Sequence, residues 1–101
     1  MAFIQIIEYQ TDQPDAVQAL ADKMRSESEA AGTTPRFTTL VRAKDRDKAN
    51  SYVTIVEFPS YADAEASNDD PQVQEFAAAM QKLATAPPRF LNLDVVDRYP
   101  G

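Results

Sequence analysis

Two periodicities alternate along this chain, and the switches between them predict its elements. From Ala2 to Gln10 the pattern has period two, with Ile4 and Ile6 on one side and Phe3, Ile7 and Tyr9 on the other; this predicts a strand with large apolar groups on both faces. Thr11-Asp12-Gln13-Pro14 follows, an acceptor-rich stretch ending in a proline placed to open a helix. Val17, Leu20, Ala21, Met24, Ser28 and Ala31 then fall on one helical stripe, with Asp22, Lys23, Arg25 and Glu29 largely off it. Gly32 is the expected C′ residue of that helix.

The period returns to two from Arg36 to Ala43, where Phe37, Thr39 and Val41 alternate against Thr38, Leu40 and Arg42. A polar run from Lys44 to Asn50 and a third strand from Tyr52 to Phe58 complete an expected hairpin, which Pro59 stops. Ser60 is placed to cap a short helix over Tyr61 to Ser67, with Asp63 as an acidic variant of the capping box. Asp70 and Pro71 open a second helical segment whose stripe is Val73, Phe76, Ala77, Met80, Leu83 and Ala84. Pro87-Pro88 ends it, and Phe90 to Tyr99 reads as the last strand. No repeat or change of composition interrupts this order, so residues 1–101 are expected to form one domain.

The order βαββαβ predicts an α+β, ferredoxin-like fold. It is a four-stranded antiparallel sheet with right-handed crossovers that place the helices on one face. A sheet covered on one side should alternate strictly. The first and third strands do not, and in the usual strand order they form the central pair. Their second apolar face needs cover, and a second copy of the chain is the expected partner. Burying several hundred Å² of it contributes roughly 10 kcal/mol at about 25 cal/mol per Å², against an association cost of about 4–15 kcal/mol.

Composition narrows the chemistry. The chain has 101 residues, 44% hydrophobic and 26% charged, as in ordinary globular proteins. Its net charge of −6 disfavours nucleic acid and anionic membranes as partners. Two glycines leave no room for a glycine-rich phosphate loop. The apolar start lacks a basic leader region and is too short to span a bilayer, so cytoplasmic residence is expected. The sequence has no cysteine and no histidine. Disulfides, thiol chemistry, histidine-based catalytic triads and zinc sites of the usual ligand types are therefore not expected. Asp45, Asp47 and Asn50 offer oxygen ligands, but the loop lacks the central glycine of a calcium loop and carries Lys44, Arg46 and Lys48, so a solvated hairpin tip is expected. The RNA-recognition motif shares the element order, but it needs glycines, exposed aromatics and basic surroundings that are missing here. Neither a metal nor a cofactor is expected.

The stretch from Tyr52 to Phe76 consists of a strand ending in Glu57 and an aromatic, a capped helix, and a proline-initiated helix carrying Phe76. It resembles the middle segment of the dimeric α/β-barrel proteins, specifically the antibiotic biosynthesis monooxygenase-like group, and the resemblance extends over nearly the whole chain. The resemblance implies two sheets stacked across a dimer axis, with a pocket between each sheet and its helices. Members of that group include cofactor-independent oxygenases of polyketide phenols, haem-degrading enzymes and proteins with no known activity. The haem-degrading branch uses a histidine ligand on the helix after the third strand. This chain has Asn68 near that region and no histidine, which argues against haem. What the resemblance implies is a cofactor-independent monooxygenase acting on a small aromatic or polyketide-like compound. The alternative is a non-catalytic small-molecule-binding or structural homodimer.

Within that frame, Asn92 and Asp94 share one face of the last strand and Leu91, Leu93 and Val95 hold the other. The apolar face is expected against the helices, which would turn Asn92 and Asp94 toward the dimer side. There Asp94 reads either as a buried carboxylate with a raised pKa that takes a phenol proton, or as a wet edge position. Glu57 reads either as a general base at the pocket mouth or as the ion-pair partner of Arg42 or Arg36. Tyr9, Tyr52 and Tyr61, with Asn68 and Asn92, are the candidate substrate contacts; core or interface packing is the competing role for the tyrosines.

Overall fold

The computed structural model describes residues 2–100; Met1 and Gly101, the ends of the expected domain span, lie outside the described residues. In chain order the elements are β1 (Phe3–Gln10), α1 (Pro14–Ala30), β2 (Thr39–Lys44), β3 (Ser51–Phe58), α2 (Tyr61–Asn68), α3 (Pro71–Leu83) and β4 (Arg89–Asp94). The strands pair antiparallel throughout in the order β2-β3-β1-β4. This is the ferredoxin-like α+β fold, with β1 and β3 at the centre as the two-sided apolar pattern required.

The β1–β3 register sorts the side chains by face. Phe3, Gln5, Ile7 and Tyr9 lie opposite Phe58, Val56, Thr54 and Tyr52. The helices cover this side: Phe3, Val56 and Phe58 close with Ala64 of α2 into a buried cluster, and Phe37 packs against it. Val17 and Ala21 are the buried residues of α1. The other side carries Ile4, Ile6, Val53 and Ile55, flanked by Leu91 and Leu93 of β4 and Val41 of β2. These side chains remain part-exposed or exposed, so the second apolar face is present and uncovered in a single chain.

Local signals explain most helix ends. Ser60 Oγ accepts from the Asp63 backbone N–H at 3.3 Å and donates to Asp63 Oδ2 at 2.9 Å, which completes the acidic capping box. Asp70 Oδ1 accepts from Gln72 N–H at 2.9 Å, with Pro71 opening α3. Gly32 has a φ of 70°; its N–H bonds Glu29 O while the Thr33 N–H bonds Ser28 O, the paired bonds of a Schellman ending. The start of α1 departs from expectation, because Gln13 makes no side-chain cap. Thr11 takes that part. It is 1% exposed; its hydroxyl accepts from Gln13 N–H at 3.0 Å and donates to Leu83 O at 2.7 Å. Its backbone also bridges Ala84.

Three features differ from the sequence pattern by more than a one-residue shift, and pairing explains two of them. β2 begins at Thr39 rather than Arg36, because β3 pairs with it no further than Glu57 and Pro59 follows. Phe37 leaves the strand to pack on the core. β4 ends at Asp94 rather than Tyr99, because its partner β1 begins at Phe3 and only a Val95 N–H to Ala2 O bond lies beyond. The third difference is the stripe of α3, which holds no fully buried residue, with Ala77 exposed. α3 packs against α1 and α2 and leaves part of the sheet below it open. The Lys44–Asn50 tip is exposed, as expected. Among the described residues, no helix is long and apolar enough to cross a membrane.

Candidate functional site

The β4 register decides where the polar candidates point. Asn92 lies opposite Gln5 and Asp94 opposite Phe3, on the helix side of the sheet; Leu91 and Leu93 lie opposite Ile6 and Ile4, on the open side. This reverses the expected orientation. The expectation assumed that helices cover a strand's whole inner face. β4 is an edge strand beneath a thin part of the helix layer, so its helix side is polar and wet while its other side continues the apolar face. Asp94 is accordingly exposed, not a buried carboxylate.

The thin cover leaves the helix side of β4 open. Phe90 is 53% exposed, although it points to the helix side. Gln5 Nε2 donates to Asn92 Oδ1 at 3.3 Å across the strands. At one end Phe3 is the cross-strand neighbour of Asp94. It also meets the ring of Tyr61 edge-on, with centroids 5.1 Å apart. The structure thus brings Tyr61 and Asp94 to Phe3, with Asn92 two positions from Asp94 on the same strand face. Asn68 stands exposed at the C-terminal end of α2.

Glu57 belongs elsewhere. It lies opposite Ile4 and Thr39 on the open face, and its Oε1 binds Arg98 Nη2 at 2.7 Å. An ion pair forms, but with neither Arg42 nor Arg36. Arg42 lies opposite Thr54 on the helix side, where its Nη1 donates to Gln18 Oε1 at 3.3 Å. Glu57 therefore lies on the opposite sheet face from Asn92 and Asp94.

Tyr9 and Tyr52 mark the opposite end of the helix side. They face each other across β1 and β3, with rings stacked 5.6 Å apart at 19°. They line a cleft of about 330 Å³ beneath the start of α1, whose walls include Pro14, Val17, Gln18, Arg42 and Lys44. Two buried polar atoms here make no well-formed hydrogen bond among the described residues: Arg42 Nε, and the Tyr9 hydroxyl, which has only the neighbouring Thr54 hydroxyl beside it. Burial pushes the Tyr9 phenol above its ordinary value of 10.0, with the Arg42 charge and the Thr54 hydroxyl opposing more weakly. Sequence reasoning placed Arg42 only as a partner for Glu57 and did not single out Gln18. The available signal was the strand alternation, which sets Arg42 on the same face as Leu40, away from Val41.

The candidates therefore do not form one site. Tyr9 lies six positions from Phe3 along β1, roughly 20 Å at about 3.3 Å per residue. No cluster of three or more His, Cys, Asp or Glu side chains able to hold a metal ion occurs among the described residues.

No protein-family model matches the chain, and no curated protein sequence does. Solved structures do match it. SnoaB, a cofactor-independent oxygenase from Streptomyces nogalater, superposes with a TM-score of 0.78 at 17% identity over 99% of this chain and 98% of its own. Rv0793 from Mycobacterium tuberculosis gives a TM-score of 0.78 at 18% identity over 98% and 99%. A Caulobacter crescentus protein named after antibiotic biosynthesis monooxygenases gives 0.80 at 11% identity over 95% and 91%. At such identities the likeness is one of fold.

Proposed function

We propose that this chain, whose fold is that of the antibiotic biosynthesis monooxygenase-like dimeric α/β-barrel proteins, is a single-domain, cytoplasmic homodimer that oxygenates a small aromatic or polyketide-like compound without a cofactor. One observation carries this reading: Phe90 is half uncovered on the helix side of the strand that also carries Asn92 and Asp94, and Asp94 lies opposite Phe3, whose ring meets Tyr61. Exposed aromatic surface with polar groups along the same strand face suits a flat, hydroxylated ring.

The chemistry asks little of the protein. Asp94 takes a phenolic proton, and the ring itself supplies dehydration by covering the carboxylate. The phenolate passes an electron to O2, and the resulting radical pair combines at an activated ring carbon to give a peroxide anion, which takes the proton back from Asp94 to become the hydroperoxide. Loss of water leaves a carbonyl. The balance is CH2 + O2 → C=O + H2O, with the substrate as reductant. Asn92 and Tyr61 orient the substrate through its oxygens.

The homodimer reading is supported by the apolar open face and by the segment after β4, where Val96 is 93% and Tyr99 94% exposed. A second copy placed face to face covers both. Analytical ultracentrifugation at micromolar concentration tests this, and a stable monomer refutes it.

Oxygen uptake over a panel of phenols, hydroquinones and anthrone-type ring systems tests the activity. Turnover lost in Asp94→Asn with substrate binding retained is the expected result; no uptake with any compound ends the oxygenase reading. Binding without turnover is a second reading, favoured by the exposure of Asp94. A compound that raises the melting temperature yet consumes no oxygen supports it.

A further inference from the structure

We infer that the cleft between the start of α1 and the Tyr9–Tyr52 pair is a binding site for a small organic carboxylate, with Arg42 as the partner of the anion and the Tyr9 hydroxyl as a second donor. It lies at the Tyr9 end of β1, away from Asp94 and Tyr61 at the Phe3 end, and does not depend on the function proposed there.

The first argument is hydrogen-bond accounting. Buried polar groups in folded proteins are nearly always paired, and one left unpaired carries its full desolvation penalty. Two residues of this one cleft have buried atoms without a well-formed hydrogen bond: Arg42 at Nε, and Tyr9 at its hydroxyl, which has only the Thr54 hydroxyl beside it. Arg42 Nε has no lone pair to offer, and the phenol does not accept from it. Both are served by an acceptor supplied from outside the chain.

The second argument is charge and shape. Arg42 and Lys44 line the cleft with a single acid, Asp15, in a chain whose net charge is −6. A local cationic excess in an acidic protein selects an anion. Stacked tyrosine rings, Pro14 and Val17 supply an apolar wall, so the anion should carry an apolar body. The volume of about 330 Å³ is at the small end of the range for small-molecule sites. A planar aromatic carboxylate fits this description.

Gln18 shows how the site opens. Its neutral amide oxygen stands on Arg42 Nη1 at 3.3 Å, a long and exposed bond. Its amide nitrogen is held by Asp22 one turn along α1 at 3.0 Å. A carboxylate makes shorter, charge-assisted bonds to a guanidinium than an amide does. It displaces Gln18, which stays anchored to Asp22, and the arginine turns its Nε toward the cleft.

Benzoate, its neutral near-isostere benzamide, and acetate are the probes, titrated into the full chain and followed by NMR shifts of the Tyr9 and Tyr52 rings. Benzoate should shift both rings and bind roughly tenfold or more tightly than benzamide, the worth of a charge-assisted hydrogen bond; acetate, lacking the apolar body, should bind more weakly than benzoate. Arg42→Gln should weaken benzoate about tenfold and Tyr9→Phe several-fold. Gln18→Ala, at an exposed helical position, guards against an Arg42 variant that does not fold; it should tighten benzoate or leave it unchanged. Absence of ring shifts with benzoate, equal binding of benzamide, or weakening by Gln18→Ala each overturns the assignment.

Discussion

The two ends of β1 are built on the same helix-covered face, yet they differ in kind. At the Phe3 end, rings from β1 and β3 meet Ala64 of α2, and Phe3, Phe58 and Ala64 are each almost fully buried. At the Tyr9 end, the rings are tyrosines, the neighbours include Arg42 and Gln18, and two buried polar atoms go without a well-formed hydrogen bond. Packing is finished at one end and left open at the other. The difference teaches that burial alone does not mark a core. What marks a candidate site is burial with hydrogen-bonding capacity left over.

The contrast can be broken most forcefully at the finished end. Phe58→Ala removes a ring that is 3% exposed and should cost about 3–5 kcal/mol in chemical denaturation. Next comes the hydroxyl that closes the far end. Thr11→Val strands the Leu83 carbonyl and the Gln13 N–H, and should cost about 2 kcal/mol by the same measurement. Ser60→Ala, beside the finished core, removes the box that starts α2 and should cost about 1 kcal/mol.

The smallest effect sharpens the comparison most. Tyr9→Phe deletes a hydroxyl with no well-formed hydrogen bond and only the Thr54 hydroxyl beside it, so neutral-pH stability should change by less than about 0.5 kcal/mol. The alkaline limb should differ between the two proteins. The folded phenol has its pKa raised above 10.0 by burial. Above that pH the unfolded chain therefore loses its proton first, and stability falls as pH rises through the folded value. Tyr9→Phe should lack this share of the alkaline loss, read as melting temperature against pH.

Much of the fold was legible because local chemistry and tertiary demand agree. The double apolar character of Phe3–Ile7 and Tyr52–Val56 announced the central strands. Ser60, Asp70 and Gly32 announced helix ends through bonds made within a few residues. Strand lengths were less legible, because a strand lasts only as long as its neighbour. Val96 and Tyr99 continue a strand-like pattern past the end of β1, where nothing remains to pair with them. The site was least legible. The side to which Asp94 points depends on how far α3 covers β4, and no stripe on either element encodes that. Tyr9 and Tyr52 were recognised as candidates, but their association with Arg42 and Gln18 requires the register of three strands and the seat of a helix together.

Thr11 has a consequence for the order of events during synthesis. Its hydroxyl hydrogen-bonds a carbonyl that is made 72 positions after it. A chain growing from its N-terminus can wind α1 early, but it cannot latch that helix's first turn to the rest until α3 has been completed. The end of β1 is thus secured by a helix separated from α1 by three other elements, and a nascent chain carries that seam unfastened until α3 has emerged.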